Sequence, residues 1–228
     1  EATSTWISEM VKAHERYTKA AAIQGKTLSQ PRRSVFSKIY ELNYFFWIEK
    51  NLQGNKLYVC DTKNVSFKLD FLKKLHLEFD TRFTRGSDID FAKQLVYNNQ
   101  IIIYEPNILA QHWERGNVVA FFRQKYHIGQ ANAMLKHKWP NQLEQIDDKG
   151  DYKKLLQHMF HSTPFPRRLF LQSCFFFYKY MFPLGIEKGK ANDMLKEITP
   201  VRKRGAISVA IVTRNRAKLL ERSLFSLM

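Results

Sequence analysis

The segment Phe79-Asp80-Thr81-Arg82-Phe83-Thr84-Arg85-Gly86-Ser87-Asp88-Ile89-Asp90-Phe91-Ala92 is the densest gathering of potentially reactive side chains, with three acids within eleven residues. If Asp88 opens a helix, its carboxylate lies at the positive end of the helix dipole, which favours the ionised form. An ionised carboxylate at the mouth of a cleft can take a proton from a hydroxyl nucleophile. The same residues also suit a helix start with no chemistry, Ser87 or Asp88 serving as N-cap and Asp90 as a first-turn acid. Upstream lies Asp61-Thr62-Lys63-Asn64-Val65-Ser66-Phe67-Lys68, where Asn64 reads by itself as a turn residue before a helix. Downstream, His112 stands beside Trp113, a lone imidazole that is either a packed side chain or a single metal ligand. Arg115, Arg123 and Lys125 read as a solvated basic face. Cys60 and Cys174 are too few for a disulfide framework or a four-cysteine zinc site, and a reducing compartment is the default.

The elements that must hold these groups alternate. Thr5 to Ala22 reads as a helix, with Trp6, Met10, Ala13 and Tyr17 at helical spacing and Gly25 as its stop. Gln24 to Arg33 reads as a polar connecting segment, Ile39 to Ile48 as a helix, and Asn51 to Asn55 as a turn around Gly54. Leu57 to Cys60 is a short strand, Phe67 to Leu75 and Asp88 to Asn98 are helices, and Gln100 to Tyr104 is a β-branched strand ended by Pro106. Val118 to Leu135 is a further helix, followed by a break at Trp139-Pro140 and a polar loop from Asn141 to Gly150. Short strands alternating with helices predict an α/β layer architecture.

The 228 residues carry 37 Lys and Arg against 21 Asp and Glu, a net charge of +16. From Asp151 to Arg204 there are eleven basic and four acidic residues, so the excess is uneven. That stretch also holds Phe175-Phe176-Phe177-Tyr178 with Arg167, Arg168 and Lys179 around it. Basic plus aromatic residues suit an interfacial membrane helix, or a packed helix whose cationic side chains reach out at its edges. The expected contact is peripheral, through 165–183, because Lys179 and Pro183 interrupt the run before it could span a bilayer. Nucleic acid is disfavoured, since the aromatics are clustered in a run and no zinc-finger or RNP-like motif is present.

Taken in order, Thr62-Lys63-Asn64-Val65-Ser66-Phe67, Phe79-Asp80-Thr81-Arg82-Phe83, Gly86-Ser87-Asp88-Ile89-Asp90, Tyr104-Glu105-Pro106 and His112 resemble the second half of a family 2 glycosyltransferase of GT-A fold. The resemblance covers about Trp6 to Gly129. It implies a partial GT-A, Rossmann-like nucleotide-diphospho-sugar transferase domain over 1–136, a helical basic and aromatic linker over 137–205, and over 206–228 the first βα unit of a second module. There Ile207 to Val212 would be a buried strand, and Thr213, Arg214, Asn215 and Arg216 would receive the nucleotide, as a strand-to-helix turn suits a diphosphate.

By the same resemblance Asp88 is the general base of an inverting transfer, and Asp90 orients its loop or touches the acceptor. His112 would be a ligand to a divalent Mn or Mg ion, and Asn64, Thr62 and Gly86 would lie beside the sugar. The implied partners are a nucleotide-sugar donor and a glycan or lipid-linked acceptor, at a cytoplasmic, membrane-associated location. Ser87 stands where the family commonly has Glu, and Lys63 where a small Gly is common. The family's Asp-x-Asp metal motif is expected before the first helix and does not occur there, so the chain is expected to be an inactive fragment lacking that half. A basic membrane-surface or nucleic-acid binding module, or a structural connector, is the alternative.

Overall fold

The computed structural model describes residues 2–30, 35–113, 117–140 and 165–191, with the backbone alone at 35–38 and in parts of 165–179. Along the chain run α1 (Trp6–Arg16), β1 (Ala20–Gln30), α2 (Val35–Lys50), β2 (Leu52–Gln53), β3 (Lys56–Leu57), β4 (Val65–Phe67), α3 (Leu69–Leu75), α4 (Ser87–Tyr97), β5 (Ile101–Trp113), α5 (Val118–Lys138) and α6 (Phe165–Lys190). The five strands form one mixed sheet in the order β2-β3-β5-β1-β4. β1 and β5 are parallel at its centre, and β4 and β3 are antiparallel to them on either side. The α/β expectation holds.

The first helix is shorter than its pattern predicts. α1 buries Met10 and Ala13 and ends at Tyr17, whose N–H bonds the Ala13 carbonyl at 2.8 Å. Ala20, Ala21, Ala22 and Ile23 are buried in the central strand, with Ala22 opposite Phe67 on one side and Ile102 on the other. Alanine is a strong helix former, but small buried side chains between two neighbouring strands decide the matter here. The supposed connecting segment from Gln24 is therefore the heart of the sheet. Gly25 does not stop a helix: a Cβ there would collide with the Ile108 carbonyl and the Asn64 amide, so the position needs a bare backbone.

Pro106 does not end its strand either. The pairing of β5 with β1 slips between Gly25 and Lys26, passing from Glu105 directly to Leu109. Pro106 falls in that bulge, where its missing N–H interrupts no ladder bond.

The sheet is covered on both faces. Ala20, Ile23, Ile103 and Ile108 pack on Met10 and Ala13 of α1. On the other face Ala21, Ala22 and Ile102 pack under α2, α3 and α4 through Ile48, Leu72, Phe91, Ala92 and Leu95. Phe79 stacks on Phe91 at 4.3 Å between centroids, and Phe67 meets Phe91 edge-on at 5.1 Å. α5 and α6 lie side by side and run parallel, since Gly185 meets Tyr126 and Gly129 while Gly189, one turn on, meets Gln130 and Ala133. No described helix is long and apolar enough to cross a membrane. Residues 141–150 and 206–228, with the expected polar loop and second βα unit, lie outside the described residues, as does the basic segment from Pro200 to Gly205.

Candidate active site

Asp88 sits in the first turn of α4, directly after Gly86, whose φ of 74° sets the left-handed corner from which the helix starts. Its Oδ1 accepts the Ile89 N–H at 2.9 Å. The side chain is partly accessible, but protein surrounds it closely enough to change its chemistry. Burial, reinforced by the negative charge of Asp61, raises its pKa to about 6, against the opposing pull of the Ile89 amide, its own amide and Lys63. The helix-terminus expectation of a strongly ionised carboxylate is thus overridden: the amides act in the foreseen direction, and burial outweighs them.

Asp61 is placed there by β1. Its N–H donates to Oε1 of the fully buried Gln24 at 2.7 Å, while Gln24 Nε2 donates to the Gly25 and Asn64 carbonyls at 3.0 and 2.8 Å. The Asp61 carboxylate accepts the Lys63 N–H at 3.0 Å and lies 3.5 Å from Lys63 Nζ. The preceding Cys60 donates its thiol to the Asp88 carbonyl at 3.4 Å, which joins this turn to the start of α4. Burial and the two carboxylates push the Cys60 thiol up, so it stays protonated and is no nucleophile. Tyr44 closes another side. Its hydroxyl pKa is raised by burial and by Asp61, and Lys63 Nζ stands 5.9 Å from its ring centre. The result is one weakly acidic carboxyl beside a Lys63–Asp61 pair, an arrangement able to accept a proton near neutral pH and to face an anionic or hydroxyl-rich ligand with one cation.

The other site candidates divide. Thr62 is exposed at the rim of this turn, and Gly86 forms the turn before Asp88, with Leu135 and Ala131 where its Cβ would be. Asn64 is 1% exposed and fully engaged: Oδ1 accepts from Trp6 Nε1 at 2.7 Å, and Nδ2 donates to the Lys26 and Ile108 carbonyls, both at 2.9 Å. Its amide ties α1, β1 and β5 together and has no group left for a sugar. Asp90 is fully buried and accepts from Trp139 Nε1, Lys138 Nζ and Gln94 Nε2, each within 2.9 Å. Lys138 also reaches Asp80 at 2.8 Å, which Arg82 grips from the other side at 2.6 Å. Burial works against ionisation of Asp80, yet these two cations hold its carboxyl well below the usual range. Asp90 therefore orients the turn and the end of α5, and its carboxylate is closed off from an acceptor.

His112 lies near the end of β5 in register with Ser29. Among the described residues no three His, Cys, Asp or Glu side chains gather as a metal-binding group. Thr213, Arg214, Asn215 and Arg216 lie outside the described residues. Sequence reasoning assigned no role to Gln24 and Asp61. Gln24 carried no signal once its strand was read as a connection, whereas Asp61 was visible as an acid six residues before Phe67 and two before Lys63. No family model matches this chain, and no curated protein matches it.

Proposed function

We propose that this chain is the acceptor-side half of an inverting glycosyltransferase of GT-A fold, with Asp88 as general base. The Asp88 carboxylate takes the proton of an acceptor hydroxyl, whose oxygen attacks the anomeric carbon of a nucleotide-sugar. The bond from that carbon to the nucleoside diphosphate breaks on the opposite face, which inverts the centre. One observation carries the reading: Asp88 is partly accessible, sits at a helix start, and has a proton affinity tuned to about 6 by burial and Asp61. A general base works best with a pKa close to the working pH. The mixed sheet with a parallel central pair and helices on both faces supports the fold half of the proposal. The order of motifs from Thr62 to His112 supports the family.

The described residues form no group that would hold Mn or Mg, so the part of the reading that makes His112 a metal ligand has no geometry behind it, and no step here is routed through a cation. The test is nucleoside diphosphate release from a panel of sugar nucleotides with Mn and a glycan acceptor. Asp88→Asn is expected to slow acceptor-dependent release by about 10² or more. Equal release by both proteins would reduce Asp88 to a helix-start residue.

A further inference from the structure

We propose that α6 docks on an anionic lipid bilayer surface through Leu169, Tyr180 and Leu184. The inference is independent of the transferase reading. α6 has two distinct sides. Gly185 and Gly189 are buried against α5, where a Cβ on Gly185 would strike the Tyr126 carbonyl and one on Gly189 would meet Ala133 and the Gln130 backbone. Leu169, Tyr180 and Leu184 are 54%, 51% and 53% exposed. At about 100° per residue these three fall within an arc of about 60°, and the two glycines fall on the opposite side of the helix. The close glycine packing therefore fixes which side of α6 faces outward, and that side carries these large apolar residues together with the exposed Ser173 and, five turns on from Leu169, Glu187 in its pair with Lys190.

Charge selects the occupant. No Asp or Glu occurs between Asp151 and Glu187, while Lys153, Lys154, Arg167, Arg168 and Lys179 fall in that interval. α6 itself holds five basic residues and one acid, a difference of +4. The one acid, Glu187, is paired with Lys190 at 2.7 Å. A second copy of this helix would bring like charge against like charge, and a nucleic acid has no use for exposed leucines. An anionic membrane takes both the leucines and the cations: the apolar side enters the headgroup boundary, and basic residues meet the lipid phosphates. At 26 residues α6 is about 39 Å long, yet it is no membrane-crossing helix, so it lies along the surface.

Flotation of the whole chain with phosphatidylcholine vesicles, with and without about a third phosphatidylserine, tests this. The chain is expected to float with the phosphatidylserine vesicles only and to be released as salt is raised. Leu169→Ser, Tyr180→Ser and Leu184→Ser together should lower the bound fraction about tenfold, whereas Phe45→Ser, at an exposed aromatic on α2, should not. Hydrogen exchange of the wild type needs no variant, and should slow over 165–191 and not over 6–16 when these vesicles are added. Absence of binding, equal binding to neutral vesicles, an unchanged triple variant, or loss matched by Phe45→Ser would each overturn the proposal. So would a dimer that the triple variant dissociates in the absence of vesicle binding, which would assign the surface to a second copy.

Discussion

In the proposed reaction Asp88 is both a helix-start residue and a proton acceptor, and the two make opposite demands. The amides of the first turn favour its anion, while burial and Asp61 favour the acid, and the balance lies at about 6 against an ordinary 3.8. For stability the sign follows directly. A raised carboxyl pKa means that the folded state binds the proton more tightly than the unfolded chain, so folding weakens as pH rises from about 4 to about 6, and the full cost is present above that. Asp88→Asn is therefore expected to gain about 1–3 kcal/mol at pH 7, after allowance for partial exposure, in the same variant for which the proposed reaction predicts slower transfer. Urea unfolding of both proteins at pH 7 and pH 4 reads this, and a gain of equal size at both values would show that charge is not its source. Asp61→Asn removes the neighbouring charge while Lys63 remains, so Asp88 should become more acidic. The rising limb of the activity profile should then move to lower pH, and an unmoved limb would mean that burial alone sets it.

At the scale of elements, the sheet depends on a few polar side chains as much as on its apolar faces. Asn64 belongs to no helix and only precedes β4, yet its amide holds α1, the Gly25 bulge of β1 and the Pro106 bulge of β5 in one place. Asn64→Ala strips the Lys26 and Ile108 carbonyls and the Trp6 indole of their partner and should cost about 3 kcal/mol, with Asn64→Asp at least as damaging because a carboxylate would face two carbonyl oxygens. A thermal midpoint unchanged in Asn64→Ala would contradict this. α2, α4 and α5 were legible in the sequence because each carries apolar residues at helical spacing and ends at Gly, Asn or a Trp-Pro break. β1 was not, because Ala20-Ala21-Ala22 has no strand signature of its own. Its reason for being extended lies in Phe67, Ile102 and Asn64, which are distant in sequence. The site shared this fate: Asp88 was visible as one acid of a cluster, whereas Gln24, which fixes Asp61 beside it, was hidden within the misread strand. Asp90 was visible too, but its partners Lys138 and Trp139 stood at what looked like a mere helix end.

For the molecule as a whole, α5 links the sheet to α6. Its far end is clamped to the site by Lys138 and the adjoining Trp139 on Asp90, and its side carries α6 through glycine contacts too close for any side chain. These two attachments rest on different physics. The first is a buried charge and hydrogen-bond cluster, costly to break because a lone charge would remain. The second is dispersion between backbones brought together by Gly129, Gly185 and Gly189, which a single methyl can wedge apart. Gly185→Ala would drive a Cβ into the Tyr126 carbonyl, so α6 must shift from α5 while Asp88, Asp61 and the sheet keep every contact they have. Hydrogen exchange should accordingly quicken over 165–191 and stay unchanged over 57–97. Quickening in both segments would mean that α6 is part of the same cooperative unit as the site, and unchanged exchange in α6 would mean that the glycine contact does not hold it.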